Sequence, residues 1–399
     1  CGLALAFALT TAGCSGSKAA RSTVTPSPPT TTVSPTNTPA PSPTPDPLAK
    51  LPATVAEAQQ GLESELIAAP TMPCPSRLVT AWRVTCITSD FDGDSKPDTA
   101  FLVPLQPAPD STHTPAAVFV LRSTANQVEA LSSVGSPADG TVLGATFFTP
   151  RTLPSNGGNA IAFLTTACST TGCLSQAHLF RWDGTAWRDV GPGDAGISAL
   201  QSATWDADGN LILKGGAFEA PGAGPTRGVS VTYAYSGTVY AESKRVYAAP
   251  VYLFHAITDA DVKFAAADWS GAIASYQGAI DETALKDWKA EQGQPAGRPT
   301  LVSYALFRIA IATAAEGDDP SVALDKVIVD AKDPIFAYAA QQFRQGWQQT
   351  ASVHGGCVAA TAYLGTSNAS GDNPAYIKQA FNYGYANQPI KTYMDICPL

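Results

Sequence analysis

The chain has 399 residues, 45% of them hydrophobic, and it carries a formal net charge of −9 at pH 7. A chain of this length usually folds as two or three domains, and its hydrophobic content is enough for cores of ordinary size. Only 24 residues are Lys or Arg, and they form no cluster that could neutralise a phosphate backbone, so the composition argues against nucleic-acid binding.

The first segment, 1–13, has the pattern of a secretory signal. Gly2–Ala12 is rich in Leu, Ala and Phe; it suits the apolar core of a signal peptide and is too short to span a membrane as a helix. The charged region that normally precedes such a core is missing, so we interpret 1–13 as a truncated signal peptide. Leu9–Cys14 ends in Ala-Gly-Cys and resembles the lipobox of bacterial lipoproteins. This resemblance implies cleavage before Cys14 and a lipid on its sulfur; the alternative is plain secretion.

Residues 14–50 are expected to form a disordered stalk. Thr23–Pro47 consists mainly of Pro, Thr and Ser, which have little to bury and cannot offset the entropy cost of ordering. Dense proline keeps such a segment extended at ~3 Å per residue, and its Ser and Thr are candidates for glycosylation. Together with a lipid on Cys14, the stalk would hold the folded part at the surface of a bacterial cell. Without the lipid it is a disordered tail.

Six cysteines remain once Cys1 and Cys14 are set aside, and this even number suits an oxidising compartment. Six cysteines allow about 15 connectivities, so the sequence gives only candidates for disulfides. Neither Cys-x-x-Cys spacing nor a Cys/His cluster occurs, which disfavours zinc. The candidates lie as local couples, namely Cys74 with Cys86, Cys168 with Cys173, and Cys357 with Cys397.

The region 51–250 is predicted to be all-β. Short β-branched and aromatic runs alternate with Gly, Pro, Asn and Asp turns, and they repeat as about three four-stranded meanders. Propeller blades are built in this way, but a closed propeller usually needs four or more blades, so we expect an open or atypically packed array. The predicted strands are Arg83–Ile87, Ala100–Val103, Ala117–Leu121, Val128–Leu131, Gly144–Phe148, Ala160–Leu164, His178–Arg181, Trp187–Val190, Ala203–Trp205, Leu211–Leu213, Val229–Tyr233 and Val239–Ala241.

An acidic loop follows the first predicted strand. Carboxylates stand at the first, third, fifth and ninth places of the glycine-bent stretch Asp90–Asp98. Side chains that converge in this way repel one another unless a hard cation with oxygen ligands relieves them, and Ca²⁺ tolerates irregular cages. An EF-hand is rejected, because Ser95 and Phe101 stand where that motif needs Gly and Glu. The alternative is an Asx-type turn with solvated carboxylates.

Together with the following Thr99–Val103, this loop resembles the calcium loop of FG-GAP and VCBS-type propeller repeats. The resemblance implies a Ca²⁺ site formed by four carboxylates and the backbone carbonyl of Lys96, the carboxylates being those of Asp90, Asp92, Asp94 and Asp98. In the third unit, Asp206–Asn210 looks like a decayed copy with Lys214 at the ninth place, and no metal is expected there. The second unit has no such loop.

The region 251–399 is predicted to be all-α. Apolar residues three and four apart replace the alternation of the preceding region, and they define three helical hairpins with a last short helix. Asp268–Ile280 resembles the second helix of a tetratricopeptide repeat, with Ala272, Tyr276 and Ala279 at its small, aromatic and small positions. The alternative is a generic helical bundle. The predicted helices are Leu253–Ala267, Gly271–Ile280, Leu301–Glu316, Pro320–Asp330, Ile335–Gln349, Cys357–Leu364 and Tyr376–Phe381.

Several enzymatic motifs are missing: the sequence has no Gly-x-Ser-x-Gly elbow, His-Glu-x-x-His helix or Walker loop. His354–Cys357 could be a thiol beside a base, but we favour a glycine turn with Cys357 in a disulfide. Asp318-Asp319 suits a helix start better than acid–base chemistry. Trp182, Trp187 and Trp205 could form a sugar-binding platform, although core packing is the better interpretation.

The sequence thus predicts a multidomain α+β protein with propeller-blade-like β repeats followed by tetratricopeptide-like helical hairpins. We expect a non-enzymatic, lipid-anchored binding or scaffold protein of the bacterial envelope, with a structural Ca²⁺ and a protein or glycan partner. This function depends on analogy between folds. The alternatives are an extracytoplasmic hydrolase of cell-wall polymers, with its site where the β and helical regions meet, and a structural subunit of an envelope complex.

Overall fold

The computed structural model describes residues 46, 48–68, 74–107, 114–125, 127–134, 144–147, 151–152, 159–169, 172–193, 196–368 and 371–398. The predicted signal peptide, Cys14 and nearly all of the predicted stalk lie outside these residues. The first half of the described chain consists mainly of antiparallel sheets and the second half mainly of helices, so the α+β class is confirmed.

Two helices precede the first strand, where the sequence analysis placed only β structure; they are α1 (Val55–Ala68) and α2 (Ser76–Trp82). Thr54 Oγ1 accepts a hydrogen bond from the Glu57 backbone N–H, and the Glu57 carboxylate accepts one from the Ala53 N–H. The first bond satisfies an N–H group that the first turn of a helix leaves free, and the second fixes the chain just before the helix. The apolar face of α1 packs on the first sheet, which gives the helix its tertiary support.

Sheet 1 is an antiparallel meander of four strands in sequence order, as predicted for the first unit. Its two inner strands are almost continuously apolar because both faces of the sheet are buried. Phe101 and Phe119 face the core shared with α1 and α2, whereas Leu102 and Val118 face the second sheet. The strands are β1 (Thr85–Ser89), β2 (Asp98–Pro104), β3 (Ala116–Leu121) and β4 (Val128–Val134).

Sheet 2 has six strands, so the four-stranded meander predicted for the second unit is wrong. The two longest strands of this sheet, β7 and β8, form a hairpin. The strands β6 and β10 were not predicted, because they are only two and three residues long. The strands are β5 (Gly144–Phe147), β6 (Arg151–Thr152), β7 (Asn159–Ser169), β8 (Gly172–Trp182), β9 (Trp187–Asp189) and β10 (Gly196–Ser198).

Sheet 3 is again a four-stranded antiparallel meander in sequence order, as predicted. Successive side chains of β7 and β8 point to opposite faces of sheet 2 and enter two different cores. Ile161 and Phe163 face sheet 1, whereas Ala162 and Leu179 face sheet 3. The three sheets therefore pack in succession, face to face. The strands of sheet 3 are β11 (Ser202–Trp205), β12 (Leu211–Gly215), β13 (Val229–Tyr235) and β14 (Tyr240–Tyr247).

The helical region contains the three predicted hairpins, in which α3 pairs with α4, α6 with α7, and α8 with α9. The central helix α6 contacts α3, α4, α7, α8 and α9, which explains why it is buried around much of its circumference. The helices are α3 (Leu253–Ala265), α4 (Trp269–Asp281), α5 (Trp288–Glu291), α6 (Arg298–Glu316), α7 (Ser321–Asp330), α8 (Pro334–Thr350), α9 (Val353–Leu364) and α10 (Asn373–Ala380). A short hairpin of β15 (Ser367–Asn368) and β16 (Gly371–Asp372) precedes α10, and a 3₁₀ turn, Tyr393–Asp395, lies near the end.

Three disulfides are present, and they join the neighbouring cysteines that the sequence analysis named as couples. Disulfides persist in oxidising compartments, so they favour an extracytoplasmic location. Across the described part of the chain, no helix combines the length and the apolar character needed to cross a bilayer.

Candidate metal centre

The loop Asp90–Asp98 joins β1 to β2, and its ends are fixed by the pairing of Ser89 with Asp98. The chain turns through Gly93 at φ 83° and Ser95 at φ 68°. This left-handed conformation is easy for glycine and costly for most other residues, so the loop must be held by other interactions.

Three aspartates shape the bend by accepting backbone hydrogen bonds within the loop. The two carboxylate oxygens of Asp90 accept from the N–H groups of Gly93 and Ser95, at 2.7 and 3.0 Å. Asp92 Oδ1 accepts from the Asp94 N–H at 3.1 Å, and Asp94 Oδ1 accepts from the Lys96 N–H at 2.8 Å. These Asx-type bonds supply the local order that a turn of this kind needs.

Asp98 is the most deeply buried carboxylate of the loop, at 1% exposure. Its Oδ2 accepts from the N–H groups of Phe91 and Asp92, at 2.9 and 3.2 Å, and its Oδ1 accepts from the Ser123 N–H at 2.7 Å. Burial raises the pKa of Asp98, and the three N–H donors oppose that rise. Asp98 therefore ties both ends of the loop to the turn that follows β3.

The carboxylate oxygens of Asp90, Asp92 and Asp98 lie within 4.8 Å of one another. Of the five ligands predicted from the sequence, these three are brought together. Asp94 instead turns one oxygen towards Ser123, whose Oγ donates to Asp94 Oδ2 at 3.1 Å. Lys96 takes part in the loop through its backbone N–H, which donates to Asp94.

One guanidinium lies beside the three carboxylates. Arg122 Nη1 is 3.9 Å from Asp92 Oδ2, but Arg122 also donates to Glu129 Oε1 at 2.8 and 3.0 Å and stacks 4.1 Å above the Trp182 ring. The Asp92 side chain is only 5% exposed, and burial is the main cause that raises its pKa, with Asp98 and Asp94 adding to the rise. The positive charge of Arg122 is therefore shared between Asp92 and Glu129.

The loop is also attached to sheet 2. The Asn159 backbone N–H donates to the Asp90 carbonyl at 2.9 Å, and its side-chain amide donates to Ser89 Oγ at 2.5 Å. Phe91, at 1% exposure, inserts between the loop and the core that sheets 1 and 2 share. Asn159 and Ser123 were not predicted as part of this site, because Asn159 reaches the loop from the start of β7, Ser123 reaches it from the turn after β3, and neither belongs to a local motif.

The acidic loop of the third unit, Asp206–Asn210, is held without other carboxylates. Asp206 Oδ1 accepts from the N–H groups of Asp208 and Asn210, both at 2.9 Å, and Asp206 Oδ2 accepts from the Asn210 side-chain amide at 2.9 Å. Tyr240 donates its hydroxyl to the Gly209 carbonyl at 3.0 Å. The expectation that this loop carries no metal remains a prediction, and its amide donor is consistent with it.

The remaining sequence candidates take part in a helix, a disulfide and aromatic contacts. The interpretation of His354–Cys357 as a turn is wrong, because α9 already begins at Val353, and Cys357 is in a disulfide with Cys397. The Trp182 and Trp187 rings lie 5.4 Å apart, and Trp205 lies 5.9 Å from Tyr240.

Asp319 stands at the start of α7, as the sequence predicted, and its Oδ1 accepts from the Ser321 N–H at 3.0 Å. This bond satisfies one free N–H of the first turn. No family model matches the chain, and no curated protein shows significant similarity to it. The chain's own residues therefore carry the functional argument.

Proposed function

We propose that this chain is a non-enzymatic binding or scaffold protein of the bacterial envelope, anchored through a lipid on Cys14 and stabilised by a structural Ca²⁺. The observation that carries the calcium proposal is the convergence of Asp90, Asp92 and Asp98 to within 4.8 Å. Asp92 and Asp98 are largely buried, and Asp92 shares one guanidinium with Glu129. Bringing carboxylates together out of water is costly unless positive charge compensates them.

Calcium suits this donor set better than other common metals. The converging atoms are carboxylate oxygens, which hard cations prefer, and no His or Cys belongs to the cluster of described residues. Ca²⁺ accepts irregular geometry, whereas Mg²⁺ demands a near-ideal octahedron. Asp94 and the Lys96 carbonyl are the further ligands implied by the resemblance to FG-GAP loops.

The position of the loop supports a structural role for the cation. The loop lies where sheets 1 and 2 meet and is attached there by Asn159 and Phe91. A cation bound by Asp90, Asp92 and Asp98 would fix the β1–β2 connection and, through it, the contact between the two sheets. Such a cation would have a structural role and would not take part in a reaction.

The binding or scaffold role is supported by architecture. Three sheets pack in succession, and strand β14 leaves nearly all of its residues exposed, which offers a broad surface to a protein or glycan partner. The first helices of consecutive hairpins also contact one another, α3 with α6 and α6 with α8, as in a tetratricopeptide-like array. Both features are arguments from fold.

The hydrolase alternative receives no specific support where the β and helical regions meet. His255 there lies 6% exposed, and its Nε2 is 3.1 Å from the Pro225 carbonyl. Arg227 pairs with Asp259 through two hydrogen bonds of 2.7 and 2.8 Å. These contacts join the two regions through a carbonyl and an ion pair, and they place no carboxylate on the imidazole.

Thermal unfolding of the full chain in Ca²⁺ and in EDTA tests the metal. At a free Ca²⁺ concentration a hundredfold above its dissociation constant, binding to the folded state alone adds about 2.7 kcal/mol. The Asp92→Asn variant should lose this gain, whereas Asp208→Asn, in the corresponding loop of the third unit, should keep it. Equal melting temperatures in Ca²⁺ and EDTA, together with no calorimetric binding signal, would rule out the calcium site.

Detergent partition of the chain expressed with a complete signal sequence tests the anchor. The native chain should enter the detergent phase and carry a mass increase from its lipid, and Cys14→Ser should stay in the aqueous phase. A Cys14→Ser chain that still partitions into detergent would disprove lipidation at this cysteine.

A further inference from the structure

The last segment of the described chain, Phe381–Pro398, crosses the first helix of every helical hairpin; we name it the C-terminal strap. Tyr383 stacks on Phe254 of α3 with ring centroids 4.1 Å apart. Phe381 packs edge-on against Tyr304 of α6 and Phe336 of α8, at 5.0 and 6.4 Å. The strap thus lies on one face of the layer that α3, α6 and α8 form.

The strap also supplies charge and hydrogen bonds to a buried polar cluster on that face. Lys391 Nζ lies 2.9 Å from Asp261 Oδ2, while Asp261 Oδ1 accepts from the hydroxyls of Tyr276 and Tyr304 at 2.5 and 2.6 Å. Arg308, only 3% exposed, donates to the Ile396 carbonyl of the strap at 3.2 Å. Without the strap, Asp261 would lose the closer of its two cations and keep only Arg308, at 3.7 Å, while the Arg308 guanidinium would lose an acceptor; both losses are costly in a buried site.

The attachment of the strap is uneven along its length. The disulfide Cys357–Cys397 binds its end to α9, and Ile396 beside it is fully buried. Between the buried residues Tyr383 and Ile396, the side chains of Ala386, Gln388 and Pro389 are exposed. Backbone N–H groups from 387 onward donate locally, to carbonyls three positions earlier, whereas those of Tyr385 and Ala386 donate to the carbonyls of Gly222 and Ala223 at 3.0 and 3.1 Å. From 387 onward the strap is therefore held by side chains and one covalent bond, whereas its first part is also bonded through its backbone to the loop between β12 and β13.

We propose that the distal part of the C-terminal strap, 389–398, is an intramolecular cover of the Asp261 and Arg308 cluster, and that its release is controlled by the Cys357–Cys397 disulfide. While the disulfide is intact, the strap occupies the face of α3, α6 and α8. Once the disulfide is reduced, the cover exchanges with an extended peptide that presents a cation to Asp261 and a carbonyl to Arg308. This function of the helical region does not depend on the calcium loop.

The reduction step has a defined chemistry and a route. One thiolate of a small dithiol attacks a sulfur of the disulfide and forms a mixed disulfide; its second thiol then displaces the protein thiol. The products are the two cysteine thiols and a cyclic disulfide, so the dithiol supplies both electrons and both protons. Both cysteines border an open surface groove of about 500 Å³, together with Thr361, Tyr393 and Met394, but they are only 2% and 5% exposed, so the dithiol must approach them from this groove.

The test uses the full chain with a site-specific protease sequence inserted between the exposed residues Gln388 and Pro389. One protein keeps all cysteines, and a second carries Cys357→Ser and Cys397→Ser, which leaves the other two disulfides intact. After cleavage under native conditions, gel filtration with mass spectrometry should find Pro389–Leu399 retained in the first protein and released from the second. Circular dichroism should show that the helices of the second protein remain folded.

Rebinding of a labelled synthetic peptide, Pro389–Leu399 with Cys397→Ser, then tests exchange by fluorescence anisotropy. The peptide should bind the cleaved double variant and not the cleaved protein with its disulfide intact. A peptide with Lys391→Ala should bind about tenfold more weakly, since it lacks the partner of Asp261, whereas Pro398→Ala should bind like the parent.

Two outcomes would overturn the proposal. Retention of the cleaved segment in the double variant would make the strap a permanent part of the core. Release that unfolds the helices, with no rebinding of the peptide, would make it an essential structural element and not a cover. Neither outcome depends on Ca²⁺, so this proposal and the proposed calcium site can fail separately.

Discussion

Two acidic loops connect neighbouring strands in sheets 1 and 3, and they satisfy their carboxylates in different ways. Both bend through a glycine in the left-handed region, Gly93 at φ 83° and Gly209 at φ 81°. In the loop of sheet 3, the amide of Asn210 donates to Asp206, so a neutral donor closes the turn. In the loop of sheet 1, three carboxylates converge beside a shared guanidinium.

The difference shows two solutions to the same backbone problem. An amide donor completes the shorter loop with local hydrogen bonds alone. The longer loop instead uses Asp98 to collect N–H groups from its own residues and from Ser123, and it places that carboxylate at 1% exposure. A buried anion fixes distant segments firmly, but it requires compensating charge. The loop of sheet 1 should therefore contribute more to stability and depend more on ions and pH.

The largest effect is expected from removing the buried anion. Asp98→Ala leaves the N–H groups of Phe91, Asp92 and Ser123 without their acceptor, and it should lower the free energy of unfolding by about 3 kcal/mol. Asp206→Ala, at a carboxylate that is more exposed than Asp98, should cost about 1 kcal/mol. Urea denaturation followed by tryptophan fluorescence measures both. Equal losses for the two variants would contradict the distinction between the loops.

A second, smaller effect is expected at the guanidinium. Arg122→Met preserves much of the side-chain volume but removes the cation near Asp92 and Glu129 and its stacking on Trp182. In EDTA it should lower the free energy of unfolding by about 2 kcal/mol. If Ca²⁺ binds the loop, its stabilising effect should be larger in the variant than in the native chain, because the competing cation is gone. A smaller calcium effect in Arg122→Met would mean that Arg122 supports the bound cation.

Local sequence signals explain which parts of this loop and of the fold were predictable. The spacing of carboxylates around Gly93 correctly placed an acidic turn between two strands, since turn chemistry is local. Ser123 and Asn159 could not be predicted in the same way, because the pairing of β2 with β3 brings Ser123 to the loop and the packing of sheet 2 on sheet 1 brings Asn159. Asp94 was predicted to converge with its neighbours, but its oxygen accepts from Ser123 instead.

The same rule applies to the secondary structure. Strong helical periodicity gave all three hairpins, and the meanders of sheets 1 and 3 followed from alternation bounded by turns. Helix α1 did have a local signal, the pair Thr54 and Glu57 ahead of apolar residues at helical spacing, and it was missed. The short strands β6 and β10 have no such signal, since pairing with β7 and β8 alone defines them.

A third prediction makes the loop of sheet 3 more like that of sheet 1. Asn210→Asp removes the amide donor to Asp206 Oδ2 and sets two carboxylates against each other. The variant should lose about 1 kcal/mol in EDTA, and Asn210→Ala should lose less, because it removes the donor without adding charge. Urea denaturation of the two variants checks this order. An aspartate that is tolerated better than alanine would show that charge repulsion is unimportant in this turn.

The smallest effect concerns pH. Burial raises the pKa of Asp92 and of Asp98 above the ordinary value of 3.8. Between that value and the raised pKa, the folded state therefore binds more protons than the unfolded state. In EDTA, the stability that these carboxyls contribute is therefore present below the ordinary value and lost as pH rises through the raised pKa. The difference in unfolding free energy between the native chain and Asp92→Asn isolates the Asp92 part. In EDTA, the stability of the native chain relative to Asp92→Asn should fall as pH rises. In Ca²⁺ it should rise with pH, because a bound cation favours the charged carboxylate. A difference with the same slope in both conditions would show that no cation compensates the loop of sheet 1, and the two loops would then differ only in burial.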